Sequence, residues 1–152
     1  MKKLVIIIIT LFILNHCGYT PIYSSKEENF YIKVISQKNK SKLNSKIINN
    51  IKRFSNQDSE NVIQLEISSN KEIDTISKDD KGNPSRFQMT VFLNINVLSK
   101  NNYEVNKTKN FTAKFNYQDN SNKFSLKQYE KEIEDILIDK VIEKFIIYLS
   151  EL

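Results

Sequence analysis

The most reactive side chain in the sequence is the thiol of Cys17, the only cysteine among 152 residues. It follows an eleven-residue run, 4–14, that is apolar but for one threonine, and this run follows the basic residues Lys2 and Lys3. A charged start and a short apolar core are typical of an export signal, whereas a membrane-spanning helix needs roughly 20 apolar residues. We therefore predict that residues 1–16 are a signal peptide and that Cys17 begins the mature chain.

A lone cysteine in an exported chain is suited to an intermolecular disulfide or to a covalent modification. Leu14, three residues before Cys17, and Gly18, directly after it, suit the processing pattern of a bacterial lipoprotein, in which the thiol carries lipid. His16 departs from that pattern, which normally has Gly, Ala or Ser before the cysteine. The spacing favours Cys17 as a lipidation site, and the alternative is an unmodified thiol that happens to follow a signal.

The remaining inventory argues against catalysis. Removal of the signal peptide would also remove His16, the only histidine. Without it, serine lacks an imidazole base, and the usual thiol and zinc chemistry is absent. The only glycines, Gly18 and Gly82, cannot form a glycine-rich phosphate loop, and Asp79 and Asp80 are typical of a turn. We predict a non-enzymatic protein without a cofactor or a metal site.

Four basic side chains are candidates for contact with phosphate groups. Lys78 and Arg86 flank the turn sequence DDKGNP (79–84), and Lys81 lies within it. Lys127 lies in the final segment. Lysine can bind a phosphate as a point charge and arginine as a planar fork of hydrogen-bond donors. The alternative is that these residues are ordinary solvated loop charges, which the sequence does not distinguish. The net charge of +5 does not indicate a nucleic-acid partner, because lysines are scattered among acidic residues and the only other arginine is Arg53.

The spacing of apolar residues predicts one domain, 29–152, after a linker of residues 17–28. Alternating and helical periods predict four strands and two helices: strands at 29–36, 61–69, 87–97 and 103–117, and helices at 40–56 and from Ser125 onward. The alternation of the second strand fades beyond residue 69, and a twisted or bulged continuation to about Ser77 is left open. The last two strands form a hairpin, and the sequence Ser125–Gln128 reads as the capping box of the final helix. The predicted fold is α+β, a two-layer sandwich with a mixed or antiparallel four-stranded sheet and both helices on one face.

The hairpin and the final helix should share one core. In the last strand, Lys107 and Lys109 interrupt the alternation of apolar residues. The residues predicted to form this core are Val91, Leu93, Ile95, Phe111, Phe115, Ile133, Leu137 and Phe145. The opposite sheet face carries polar rows, which are Thr90, Asn94, Asn96 and Thr108, Asn110, Thr112. Such a sheet has one apolar face for the helices and one polar face.

Three segments and the closing helix resemble, in this order, the lipopolysaccharide-assembly lipoprotein family, LptE. The segments are CGYTPIY (17–23), NPSRFQMTVFLNINVL (83–98) and FTAKFNYQDN (111–120). The resemblance extends over nearly the whole chain. It implies a four-stranded sheet with two helices and a non-catalytic, lipid-anchored protein of the outer membrane that faces the periplasm.

The resemblance also implies two partners. One is the outer-membrane β-barrel LptD, whose lumen these proteins plug and which they help to assemble. The other is lipopolysaccharide, which they help to pass to the cell surface. Basic residues that the family uses for lipopolysaccharide would fall on or near Lys78 and Lys127, with Lys81 and Arg86 beside the first.

Two other classes stay open at the level of sequence. One is a different periplasm-facing lipoprotein, such as an auxiliary subunit of a lipid transporter, with the same anchor and domain. The other is a secreted enzyme, which would need a pocket lined by its carboxylates.

Overall fold

Four strands and two helices form the part of the chain that the computed structural model describes, residues 30–38, 40–99 and 104–151. In chain order they are β1 (Tyr31–Gln37), α1 (Lys42–Ile51), β2 (Val62–Lys78), β3 (Pro84–Leu98), β4 (Val105–Gln118) and α2 (Lys123–Ser150). A short 3-10 turn, Lys52–Phe54, extends α1. The element order and the α+β class agree with the sequence prediction. The predicted signal peptide, the linker and Cys17 lie outside the described residues.

The strands form one mixed sheet in the order β1-β2-β3-β4. β2, β3 and β4 are antiparallel neighbours, with ladders that run from Gln64↔Leu98 to Lys78↔Pro84 and from Arg86↔Gln118 to Leu98↔Val105. β1 is parallel to β2. A parallel pair needs a crossover connection, and α1 lies in the crossover between β1 and β2. The sheet is therefore mixed: a helical crossover joins the parallel strands β1 and β2, whereas the antiparallel strands that follow are joined by short connections.

The core lies between one face of this sheet and the helices. Six residues of the predicted core are fully buried: Val91, Leu93, Ile95, Ile133, Leu137 and Phe145. The other two, Phe111 and Phe115 on β4, are partly buried against them. The rings of Phe111 and Phe145 meet edge to face with centroids 5.9 Å apart. The predicted packing of α2 on the hairpin is confirmed.

The start of α2 differs from the predicted capping box. Asn122 is the N-cap, and its Oδ1 accepts hydrogen bonds from the backbone N–H groups of Phe124 and Ser125, both at 3.1 Å. Ser125 therefore lies inside the first turn. Asn122 lies three positions before Ser125, and asparagine caps a helix as well as serine does, so the helix begins before the predicted capping box.

Strand β4 is also more regular than its sequence suggests. It continues through Lys107 and Lys109, where the alternation of apolar residues is interrupted. Lys107 is paired with Val97 and Lys109 with Ile95 on β3. The ammonium of Lys109 lies 5.3 Å from the centroid of the Tyr148 ring, which gives this charge a cation–π contact. Because lysine has a long aliphatic stem, it can occupy the apolar face at a sheet edge and still expose its charge.

Candidate anion-contact site

The hairpin between β2 and β3 brings three of the predicted site residues to one end of the sheet. Lys78 is the last residue of β2, where it pairs with Pro84, and Arg86 pairs with Ser77. Lys81 lies in the connecting turn, and all three basic side chains are exposed. We call Lys78, Lys81 and Arg86 the hairpin-tip cations. Their proximity follows from the ladder itself, since each lies within a few residues of the turn.

Asp79 fixes the shape of that turn. Its Oδ1 accepts hydrogen bonds from the N–H groups of Asn83 at 2.8 Å and Lys81 at 2.9 Å. These hydrogen bonds hold the pKa of the Asp79 carboxyl below its usual range, and those from Asn83 have a larger effect than the one from Lys81. Gly82 has a φ of +82°, the left-handed conformation that glycine adopts without strain. Within the described part of the chain, no three His, Cys, Asp or Glu side chains are grouped to hold a metal.

Lys127 lies on a different surface, a groove between α1, β2 and the first turns of α2. The groove has a volume of about 450 Å³, and its lining is mostly basic: Lys42, Lys46, Lys71, Lys127, Glu130, Lys131 and Glu134. We call it the lysine groove. Five lysines face two glutamates, so the groove carries a net positive charge at neutral pH. Its residues come from three separate elements, and Lys127 was the only one singled out from the sequence.

Ion pairs within the lysine groove use some of its charges. Glu134 accepts from Lys71 at 2.5 Å and from Lys46 at 3.5 Å. Lys46 also contacts Asp135, and this hydrogen bond is the main cause that raises the pKa of Lys46. Lys127 makes no ion pair with any residue that the structure describes, and the same is true of Lys42 and Lys131. These three ammonium groups are the ones that can meet an external anion.

The second glutamate of the groove, Glu130, also has a hydrogen-bond partner within the protein. Tyr117 donates its hydroxyl to Glu130 Oε1 at 2.7 Å. Burial of the phenol, together with the neighbouring carboxylate, raises the pKa of Tyr117, so the hydroxyl keeps its proton and stays a donor. Both glutamates of the groove are therefore held by groups of the protein itself.

Sequence reasoning missed Lys42, Lys46, Lys71 and Lys131. Part of the signal is local: Lys42 and Lys46, and likewise Lys127 and Lys131, are four residues apart and thus lie on one face of their helices. The remaining part is not local. Only the packing of α2 over α1 and β2 brings these two faces beside Lys71.

The sheet face opposite the helices is polar and internally hydrogen-bonded. Thr108 donates to Asn96 Oδ1 at 2.9 Å, and Asn96 Nδ2 donates to Glu66 Oε2 at 2.7 Å. Ser36 donates to Glu66 Oε1 at 2.8 Å, so one chain of side-chain bonds crosses all four strands. The bonds from Ser36 and then from Asn96 lower the pKa of Glu66. This face presents ordered polar groups that carry little net charge.

Thr90 departs from the rest of the polar rows. Its side chain belongs to the same face, between Glu72 on β2 and Lys114 on β4, yet the residue is only 2% exposed. The row that faces outward is therefore Asn94, Asn96 and the β4 residues.

The described chain thus has an α+β two-layer sandwich with a polar sheet face and two basic surfaces, and solved structures of bacterial lipoproteins share this fold. Rare lipoprotein B of Shewanella oneidensis matches with a TM-score of 0.58 and 15% identity, over 79% of this chain and 96% of that chain. A minor lipoprotein of Acinetobacter baumannii matches with a TM-score of 0.55 and 9% identity, over 76% and 85%.

Lipoprotein B of Nitrosomonas europaea matches with a TM-score of 0.53 and 10% identity, over 77% of this chain and 82% of that chain. No protein-family model and no curated protein matches the sequence. At these identities the likeness shows a common fold. Neither described helix is long and apolar enough to cross a membrane.

Proposed function

We propose that this protein is a non-catalytic lipoprotein of the LptE type. It is anchored in the outer membrane through lipid on Cys17 and faces the periplasm. There it plugs an LptD-type β-barrel, helps the barrel to assemble, and contacts lipopolysaccharide on its way to the cell surface. The observation that carries the proposal is the fold, which matches 96% of rare lipoprotein B from Shewanella oneidensis.

The polar sheet face supports the role of a plug. A folded domain inside a barrel must meet a polar lumen, so its outward groups should be polar without repelling the wall. The chain of hydrogen bonds from Ser36 through Glu66 and Asn96 to Thr108 gives such a face. Because these side chains are held by one another, little side-chain entropy is lost when the face is covered.

The basic surfaces support contact with lipopolysaccharide, whose lipid A carries phosphates. The exposed hairpin-tip cations lie on a turn that Asp79 holds in one shape. The lysine groove adds Lys42, Lys127 and Lys131, which have no acidic partner among the described residues. Charge-assisted hydrogen bonds to phosphate are among the stronger polar contacts, so either surface can bind an anionic head group.

Depletion with rescue tests the proposal in cells. Loss of the protein should leave the barrel misassembled and the surface short of lipopolysaccharide, and the wild-type chain should restore both. The Cys17→Ala variant should appear in the soluble fraction and rescue poorly, because stable anchoring requires lipid at this residue. Depletion that leaves the barrel and surface lipopolysaccharide unchanged would contradict the proposal. The fold would then serve another periplasm-facing lipoprotein, such as a subunit of a lipid transporter.

A further inference from the structure

Over about two thirds of its length, strand β2 has no partner on its β1 side among the described residues. β1 pairs with β2 only from Val62 to Ile67, and the N–H of Lys38 donates to Ile67 O at 3.3 Å at the end of that ladder. β2 then continues to Lys78 with β3 as its one neighbour among the described strands. Residues 70–76 of this stretch are all exposed. We call the stretch from Lys71 to Thr75 the β2 edge.

The β2 edge presents a regular row of backbone groups. In a strand, alternate residues direct their N–H and C=O groups to the same side. The carbonyls of Asn61 and Ile67 both accept bonds from the β1 side, so the odd-numbered residues of β2 face that side. The N–H and C=O groups of Lys71, Ile73 and Thr75 therefore point away from β3, to a side where no described strand pairs with them. Such a row is a template for an added strand.

The side chains of the edge select the kind of strand that can be added. On the polar sheet face, Glu72 and Asp74 are exposed. Glu72 Oε1 accepts a hydrogen bond from Asn70 Nδ2 at 3.1 Å, whereas the carboxylate of Asp74 has no hydrogen-bond or ion-pair partner among the described residues. On the helix face, Ile73 is 43% exposed although its neighbour on β3, Met89, is fully buried. A strand placed here gains most from basic residues beside the carboxylates and an aliphatic residue beside Ile73.

A second copy of the same edge is a poor partner. Antiparallel pairing of two β2 edges keeps the polar faces on the same side. If the two edges pair symmetrically about Glu72, about Ile73 or about Asp74, the facing residues are Glu72 with Glu72, Glu72 with Asp74, or Asp74 with Asp74. Like charges directly opposite each other destabilise a sheet. The other outer strand of the described sheet, β4, has one basic residue on the polar face, Lys114. One lysine cannot match two carboxylates.

We propose that the β2 edge binds an extended segment of a partner protein in which lysine or arginine alternates with aliphatic residues. The segment adds as a fifth strand through the backbone groups of Lys71, Ile73 and Thr75. Its basic side chains lie beside Glu72 and Asp74, and its aliphatic side chain covers Ile73. Lys71 belongs to both surfaces, but the docking uses its backbone groups, whereas its ammonium group pairs with Glu134 in the lysine groove. The docking does not require lipopolysaccharide, so its test is separate from that of the proposed function.

Hydrogen exchange of the full chain in a nonionic detergent tests the docking, with a blocked heptapeptide of alternating lysine and valine as the probe. The amides of Lys71, Ile73 and Thr75 should exchange about tenfold more slowly when the peptide is present. A matched peptide of alternating glutamate and valine should give no protection. The double variant Glu72→Lys, Asp74→Lys should reverse this preference, and because both sites are exposed, its unfolding midpoint should stay close to that of the wild type.

A lysine–valine peptide with all of its backbone amides N-methylated separates strand addition from simple charge attraction. It keeps its charge but has lost the N–H donors that a new ladder needs, so it should give no protection. Equal protection by the methylated peptide, or no protection by the unmethylated one, would overturn the proposal. Protection that rises with protein concentration in the absence of peptide would overturn it too, in favour of a second copy at this edge.

Discussion

At the scale of single residues, the basic side chains carry the proposed contact with lipopolysaccharide. Lys78 is at the hairpin tip and Lys127 lies in the lysine groove, so each represents one of the two surfaces. Replacing both by glutamine should weaken lipopolysaccharide binding about tenfold at low salt, equivalent to about 1.4 kcal/mol. The loss should shrink at physiological salt, because exposed charges are screened. Binding by the purified variants, measured by titration at two salt concentrations, checks this.

The matched control for that pair is Lys107→Gln with Lys140→Gln, which removes the same charge from exposed positions outside both surfaces. If the control pair weakens binding as much as the Lys78 and Lys127 pair, net charge alone attracts the ligand. The two surfaces would then have no special role.

Glu66 provides a second prediction at this scale. Its hydrogen bonds from Ser36 and Asn96 lower its pKa in the folded state relative to the ordinary value of 4.5. The Glu66 carboxylate therefore takes up a proton more readily in the unfolded chain than in the folded one. Its contribution to the free energy of unfolding is complete above pH 4.5 and is lost as the pH falls below that value. Chemical unfolding between neutral and acidic pH should show a smaller loss of stability in Glu66→Gln. Glu132→Gln, at an exposed position on α2, is the control and should follow the wild type.

At the scale of elements, the long helix α2 tests the packing. Leu137 is fully buried, whereas its neighbour Ile136 is 45% exposed. Leu137→Ala should lower the free energy of unfolding by about 2–5 kcal/mol, because it leaves a cavity in a core that cannot fully collapse. Ile136→Ala removes a similar side chain from the surface and should cost well under that. Equal denaturation midpoints for the two variants would contradict the packing of α2 on the sheet.

The elements also show what local sequence can predict. Alternation over residues 87–97 is enough to predict β3, because a half-buried strand needs that period wherever it lies. The predicted N-cap of α2 is Ser125, whereas the observed one is Asn122. Several suitable caps lie close together, namely Asn120, Ser121, Asn122 and Ser125, and local sequence does not choose among them. The lysine groove was missed because Lys71 meets Glu134 across 63 positions of sequence.

At the scale of the whole molecule, the sheet order is the part that sequence leaves open. The pattern fits a mixed or an antiparallel sheet, and the structure is mixed because β1 runs parallel to β2. This arrangement ends at Ile67 and leaves the rest of β2 without a partner on that side among the described residues, a feature that no local pattern of β2 reveals. The lysine groove lies on the helix side of the sandwich, opposite the polar face, and the hairpin-tip cations lie at one end of the sheet.

The central claim is that this sandwich is the plug of an outer-membrane barrel. Affinity purification of the tagged full chain from detergent-solubilised membranes, followed by mass spectrometry, tests it most directly. We expect one large β-barrel protein to copurify in a near-equal amount with the wild type. The Cys17→Ala variant, which should remain in the soluble fraction, serves as the control. Recovery of the membrane-bound wild-type chain without any β-barrel protein would contradict the claim.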